Sequence, residues 1–175
     1  MEASSLRAWS ERYTVGRGRR DSILAIGFTM IEMLIVLAMV GTLAAIALPM
    51  LRGAVETARV AGAIGDIGAL QTDIASFEAG GSGLPNTLAD IGRAALLDPW
   101  GRPYKYLKFP PDQGGGSPPP KGARRDRFLV PINSTYDLYS VGKDGESVMA
   151  LTAKSSMDDI VRANDGGFIG LAVKY

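Results

Sequence analysis

One carboxylate, Glu32, stands near the start of an otherwise apolar run, in which Gly27-Phe28-Thr29-Met30-Ile31-Glu32 leads straight into Met33-Leu34-Ile35-Val36-Leu37-Ala38-Met39-Val40. An ionised side chain in a bilayer core costs about 2.5–3.5 kcal/mol even on the mild insertion scale. Glu32 therefore needs a partner, and no cationic residue lies near it in the sequence. Cleavage after Gly27 would create one, because Phe28 would then carry a free α-amino group. A carboxylate in one subunit and an amine at the head of another would set the register of a stack of helices.

A second group of residues has metal-binding chemistry. Val141-Gly142-Lys143-Asp144-Gly145-Glu146 is followed by Ser155-Ser156-Met157-Asp158-Asp159-Ile160. Carboxylates on irregular, glycine-containing backbone can converge on a hard cation, and calcium takes six to eight oxygens at about 2.3–2.6 Å. The spacing is not that of an EF-hand. On the residues alone, solvated loop aspartates are the simpler reading.

The apolar span has other readings. A basic leader before an apolar stretch describes an ordinary secretory signal as well, and Ala45-Ile46-Ala47 offers small residues for such a cut. A plain single-span anchor also fits, because the run Met33–Leu48 extends back through Ile23.

Charge and composition limit the function classes. Five arginines oppose Glu2, Glu11 and Asp21 up to Gly27, a net of +2, so the remainder carries −1 of the chain's +1. That balance gives no basic field for nucleic acid as the main ligand. Arg7, Arg12, Arg17, Arg19 and Arg20 all precede the span, which orients the N-terminus to the cytoplasm. The chain has no Cys and no His. Disulfides, the Ser-His-Asp triad and the usual zinc ligand are thereby lost together, and the chain reads as a non-enzyme.

One compact domain plus an anchor suits 175 residues. A long helix is predicted from Phe28 to about Glu78. Its first half is apolar all round, and Pro49 is expected to break it. In the second half Val60, Ile64, Ile67, Leu70, Ile74 and Phe77 share one face as a core stripe. Gly62, Gly65 and Gly68 weaken that segment or admit a close neighbour. Gly80-Gly81-Ser82-Gly83 ends the helix. Asp98-Pro99-Trp100-Gly101-Arg102-Pro103 has the composition of a tight turn. Strands are predicted at Tyr104–Phe109, Phe128–Val130 and Tyr136–Ser140, with a last strand or packed tail at Phe168–Val173. Residues 110–127 read as a Gly/Pro-rich surface insert with a solvated basic end at Arg124, Arg125 and Arg127. A long helix on a small antiparallel sheet is an α+β design.

Three stretches together resemble a known superfamily. Gly27-Phe28-Thr29-x-Ile31-Glu32 with Pro49 downstream resembles the prepilin signature of type IV pilins and type II secretion pseudopilins. The set Asp98-Pro-Trp-Gly-x-Pro-Tyr-x-Tyr106, Tyr136-Asp-Leu-Tyr-Ser-x-Gly-x-Asp-Gly145 and Asp158-Asp159-Ile160 is similar to the major pseudopilin of type II secretion. The lack of cysteine points the same way, since many type IV pilins close a C-terminal loop with a disulfide. The resemblance implies three parts: a leader over 1–27, a transmembrane and filament-core helix over 28–51, and a periplasmic domain over 52–175. It implies cleavage after Gly27 by a prepilin peptidase, methylation of Phe28, and an assembly role for Glu32. It also implies a single-pass protein of the bacterial inner membrane, assembling as a homo-oligomeric filament with an assembly platform and minor pseudopilins. A structural calcium ion is implied at Asp144, Asp158 and Asp159, with the Val141 carbonyl as a further ligand. A type IV pilin serving adhesion, motility or DNA uptake is the alternative, and a signal-anchored periplasmic binding domain or enzyme a more distant one. This chain departs from the family pattern in its insert and in the longer stretch between Asp144 and Asp158.

Overall fold

Helix α1 covers Met30–Phe77 in the computed structural model, which describes residues 27–110 and 119–175. The leader and the middle of the insert, residues 1–26 and 111–118, lie outside the described residues. A π turn at Glu78–Ser82 follows α1, and Gly81 leaves helical geometry at φ +83°. A residue without Cβ adopts that conformation without steric penalty, which is how the glycine run ends the helix.

The first half of α1 presents apolar side chains on every side: Ile31, Leu34, Leu37, Val40, Leu43 and Ile46 are all exposed. The hydroxyl of Thr42 is satisfied inside the helix, donating to the Met39 carbonyl at 2.8 Å. That arrangement suits a segment that water does not reach. Pro49 lies inside α1, which runs on through it as the predicted helix from Phe28 to about Glu78 does; the break expected at Pro49 concerns the assembled filament. Proline forfeits one backbone hydrogen bond and costs about 3 kcal/mol or more. The flanking Ala45-Ile46-Ala47-Leu48 and Met50-Leu51 are mostly strong helix formers, which favours continuity.

Residues Ala45–Tyr175 form a compact unit. Its sheet contains β1 (Lys105–Lys108), β2 (Tyr136–Ser140), β3 (Ile160–Ala163) and β4 (Phe168–Leu171), all antiparallel in sequence order. The pairs Tyr106 with Leu138, Ser140 with Ile160, and Arg162 with Ile169 set the register. Alternation along each strand sends successive side chains to opposite faces. On one face Tyr136, Leu138 and Ile160 pack with Ala63, Ile67, Leu70 and Ile74 of α1. On the other, Val161 and Ala163 pack with Ile132, Leu151 and Ala172 from loops. The α+β expectation holds, and so does the stripe on α1 for Val60, Ile64, Ile67, Leu70 and Ile74, with Ala63 added and Phe77 outside the core clusters.

One strand expectation fails: Phe128–Val130 is bent chain rather than strand, and Phe128 is exposed. β3 (Ile160–Ala163) is not among the predicted strands. Of Gly62, Gly65 and Gly68, the first approaches the Pro99 ring, with 3.4 Å left for a Cβ, whereas the other two face open space.

Candidate functional site

Thr29 and Glu32 form a closed unit at the head of α1. The Thr29 amide and hydroxyl each donate to Glu32 Oε2 at 2.9 Å, and the Glu32 amide donates back to Thr29 Oγ1 at 3.2 Å. This is a capping box, in which a Thr and a Glu three residues on satisfy donors that the first turn leaves unpaired. Both bonds to the carboxylate fall on Oε2, so Oε1 takes no part in the box. The Thr-x-x-Glu signal ahead of an apolar run could have revealed this from sequence. Gly27 and Phe28 precede the box and are exposed, with open space around Gly27. The peptide bond between them is accessible.

The C-terminal loops are organised by three charged side chains. Asp98 is buried and anchors the turn after α1. Its Oδ1 accepts the amides of Trp100 (3.0 Å) and Arg102 (2.8 Å), and its Oδ2 accepts the Ser140 hydroxyl at the end of β2 (2.5 Å). Gly101 supplies φ +84° to close that turn, and the Trp100 indole donates to Glu56 of α1 at 3.2 Å. Arg102, placed by this turn, reaches the next loop. Its Nη1 donates to the carbonyls of Gly142 (2.7 Å) and Lys143 (3.2 Å).

Arg124 is the second guanidinium, and it is buried in full. Its side chain was expected to be solvated at the basic end of the insert. Instead Nη2 pairs with Asp159 Oδ2, while Nη1 donates to the Ser147 hydroxyl and to the Val148 carbonyl at 2.8 Å. Its own amide donates to Asp137 Oδ2 at 2.6 Å, and its guanidinium carbon lies 4.2 Å from the Tyr139 ring centre. Ser147 completes the group by donating to Asp159 Oδ2 at 2.6 Å. Burial pushes the carboxyls of both Asp159 and Asp137 up from the ordinary Asp value, against the pull of these donors. An ion pair removed from water needs such additional hydrogen bonds to offset desolvation.

The two glycines of the Gly142-Lys143-Asp144-Gly145 loop follow from these contacts. Gly142 has φ +65°, and a Cβ there would lie 2.3 Å from the Asp158 carbonyl oxygen. Gly145 has φ +77°, and a Cβ there would lie 2.5 Å from the Arg102 guanidinium. Bare backbone lets the loop close on Asp158 from one side and on Arg102 from the other.

The carboxylates assigned to calcium do not converge. Asp158 Oδ2 accepts the Asp144 amide at 2.9 Å, and Asp144 Oδ1 turns back to the Glu146 amide at 2.8 Å. Asp159 points the other way, into its pair with Arg124. Among the described residues, no three acidic side chains gather where one metal ion would reach them. Val141 is buried at the end of β2. Asp159 Oδ1 is the one buried oxygen of the set without a hydrogen-bond partner, against the six to eight that calcium takes. Two guanidinium groups already hold Asp159 and the carbonyls of Gly142, Lys143 and Val148, so the donor set does not fit the ion.

Comparison with known proteins adds an independent line. No family model matches the chain, and no solved structure matches it. Curated relatives do. The chain is 30% identical over 128 residues to the type II secretion system core protein G of Pseudomonas aeruginosa, covering 69% of this chain and 84% of that protein. The protein of the same name from Escherichia coli K12 is 31% identical over 128 residues, covering 69% and 83%. That from Vibrio cholerae is 29% identical over 142 residues, covering 69% and 82%. Matches of this extent, with the long apolar helix and the four-stranded antiparallel sheet, place the chain in the type II secretion system core protein G family, the major pseudopilins.

Proposed function

We infer that this chain is a structural subunit of the pseudopilus filament of type II secretion. One observation carries the reading: the helix start is apolar, unburied and marked by a single carboxylate. Ile31, Leu34 and Leu37 are 66%, 68% and 70% exposed. The most apolar stretch of this helix, with a mean hydropathy of 2.5, is long enough to cross a membrane, and none of it is buried within the described residues. Such a surface needs lipid or other copies of itself as its environment.

In this scheme α1 first anchors the subunit in the bacterial inner membrane, with the arginine-rich leader in the cytoplasm and the domain over 52–175 in the periplasm. A prepilin peptidase removes residues 1–27, and Phe28 is methylated. While the subunit waits in the membrane, Thr29 holds the Glu32 carboxylate in the capping box. On assembly the Phe28 amine of a neighbour brings a positive charge to Glu32. That pairing offsets the cost of an ionised group among packed apolar helices. The assembly platform and minor pseudopilins are the partners this route requires. The chain's role is mechanical; bond cleavage and methyl transfer belong to its processing enzyme.

Mass spectrometry of the mature N-terminus tests the scheme. The expected species begins at Phe28 and carries a methyl group, and a bulky residue in place of Gly27 leaves uncut precursor. A mature chain beginning at Leu48 or beyond would sink it.

A further inference from the structure

We propose that Arg124 and Arg102 together do in this chain what the family resemblance assigns to a calcium ion, cross-linking the C-terminal loops through guanidinium groups so that the fold does not depend on metal. This goes beyond the filament role and does not rest on it. Of the oxygens that the resemblance offers to a cation, Asp159 is held by Arg124, while Asp144 and Asp158 accept loop amides; the guanidinium groups take further oxygens of the same loops. Arg124 takes Asp159 and, through the same guanidinium, the Ser147 hydroxyl and the Val148 carbonyl. Arg102 takes the carbonyls of Gly142 and Lys143.

The geometry suits arginine in particular. A planar fork with five N–H donors can serve a carboxylate, a hydroxyl and a carbonyl at once, and it stays charged at any working pH. Arg124 is also fixed along its backbone. Its amide is held by Asp137, its carbonyl accepts the Ile132 amide at 3.0 Å, and Arg125 next to it bonds Met149 and Leu151. The insert that sets this chain apart from the family pattern therefore delivers the cation. Arg102 is fixed in turn by Asp98, which makes the Asp98–Arg102 turn the second support. Gly145 leaves room for that guanidinium and would not do so with a Cβ.

The test uses the full-length chain purified in detergent micelles. Thermal unfolding and tryptic cleavage after the exposed Lys143 are followed with excess chelator and with millimolar calcium. The wild type is expected to give the same midpoint and the same cleavage rate in both. Arg102→Gln releases two loop carbonyls and is expected to speed cleavage after Lys143 about tenfold, the effect of one charge-assisted hydrogen bond on a local opening. Arg124→Lys keeps the charge but loses the fork, and its midpoint is expected to fall in both media. Should Arg124→Lys not fold, Arg102→Gln still decides, because Arg102 is only partly buried at the loop rim. A wild-type midpoint that drops with chelator and recovers with calcium overturns the proposal. So does an Arg102→Gln loop that is cut no faster than wild type.

Discussion

Thr29 and Glu32 satisfy each other at the head of α1 through two bonds to Glu32 Oε2 and one back to Thr29 Oγ1. Glu32 thus has two separable properties, an acceptor that caps the helix and a charge that a neighbour can neutralise. Glu32→Gln keeps the acceptor and removes the charge, because a glutamine serves a capping box as well. Glu32→Ala removes both. If the charge directs assembly, both variants insert in the membrane and neither forms filaments. Shearing filaments from cells and probing for the subunit measures this. Filaments from Glu32→Gln at the wild-type level would show that capping alone matters.

The glycines separate into two kinds by their surroundings. Gly65 has helical geometry and open space where a Cβ would go, so Gly65→Ala should stabilise the chain by up to about 1 kcal/mol. Gly142 has a left-handed φ and the Asp158 backbone against it. Gly142→Ala should destabilise by roughly 2 kcal/mol or more, combining backbone strain with a main-chain collision. Thermal midpoints of the two variants should move in opposite directions from wild type.

Asp98 carries three hydrogen bonds from a buried position. Asp98→Ala strands the Ser140 hydroxyl and two amides, at about 1–3 kcal/mol for each donor left unpaired in the interior. The expected loss is about 3 kcal/mol, since the turn can loosen and admit water. Asp98 also places Arg102, so its loss and that of Arg102 should not add. A double-mutant cycle on unfolding midpoints should show coupling above about 0.5 kcal/mol, and strict additivity would separate the turn from the loop.

Much of the fold could be read from periodicity, and the exceptions share a cause. Ile67, Leu70 and Ile74 fall at helical spacing and are the core of α1, and Tyr136–Ser140 is a strand as its composition indicates. β3 escaped because it has four residues and one of them is Arg162, a residue that pattern reading turns to solvent. In the structure its guanidinium carbon lies 4.0 Å from the Tyr136 ring centre, and its Nε donates to Gln71 of α1 at 3.0 Å. Arg124 misled in the same way, as part of a basic run whose neighbours Arg125 and Arg127 are indeed exposed. Asp158 and Asp159 are identical in type and adjacent, yet one faces the Asp144 loop and the other is buried against Arg124. Composition contains no sign of that division, which arises where the chain leaves the turn at Asp158 and enters β3 after Asp159. The Thr29–Glu32 capping box is written in local spacing, a Thr and a Glu three residues on. Pairing between a carboxylate and an arginine 35 residues away is legible only in three dimensions.

Alkaline pH should loosen the domain through its tyrosines. The Tyr106 hydroxyl donates to the Pro85 carbonyl at 2.8 Å, and burial, helped by nearby Tyr136 and acidic groups, pushes its ionisation up to about 12. Tyr104 donates to Asp66 at 2.7 Å and is raised further, first by burial and then by that carboxylate. An unfolded tyrosine loses its proton near pH 10. Between about pH 10 and 12 the folded chain therefore binds more protons than the unfolded one at these positions, and stability must fall as pH rises through that window. Below pH 10 the two states bind equally and the tyrosines contribute no slope. The unfolding midpoint should hold between pH 8 and 9.5, within the range where the phenols stay protonated in both states, and then decline toward pH 11.5. Tyr136 and Tyr139 are raised by burial as well, so one substitution removes only a share of the decline. Tyr106→Phe removes a titrating group along with one hydrogen bond to a carbonyl. Its midpoint should start lower at pH 8 and fall less steeply above pH 10 than that of wild type. Parallel curves for the two proteins would mean that Tyr106 ionises alike in both states, contrary to its buried setting.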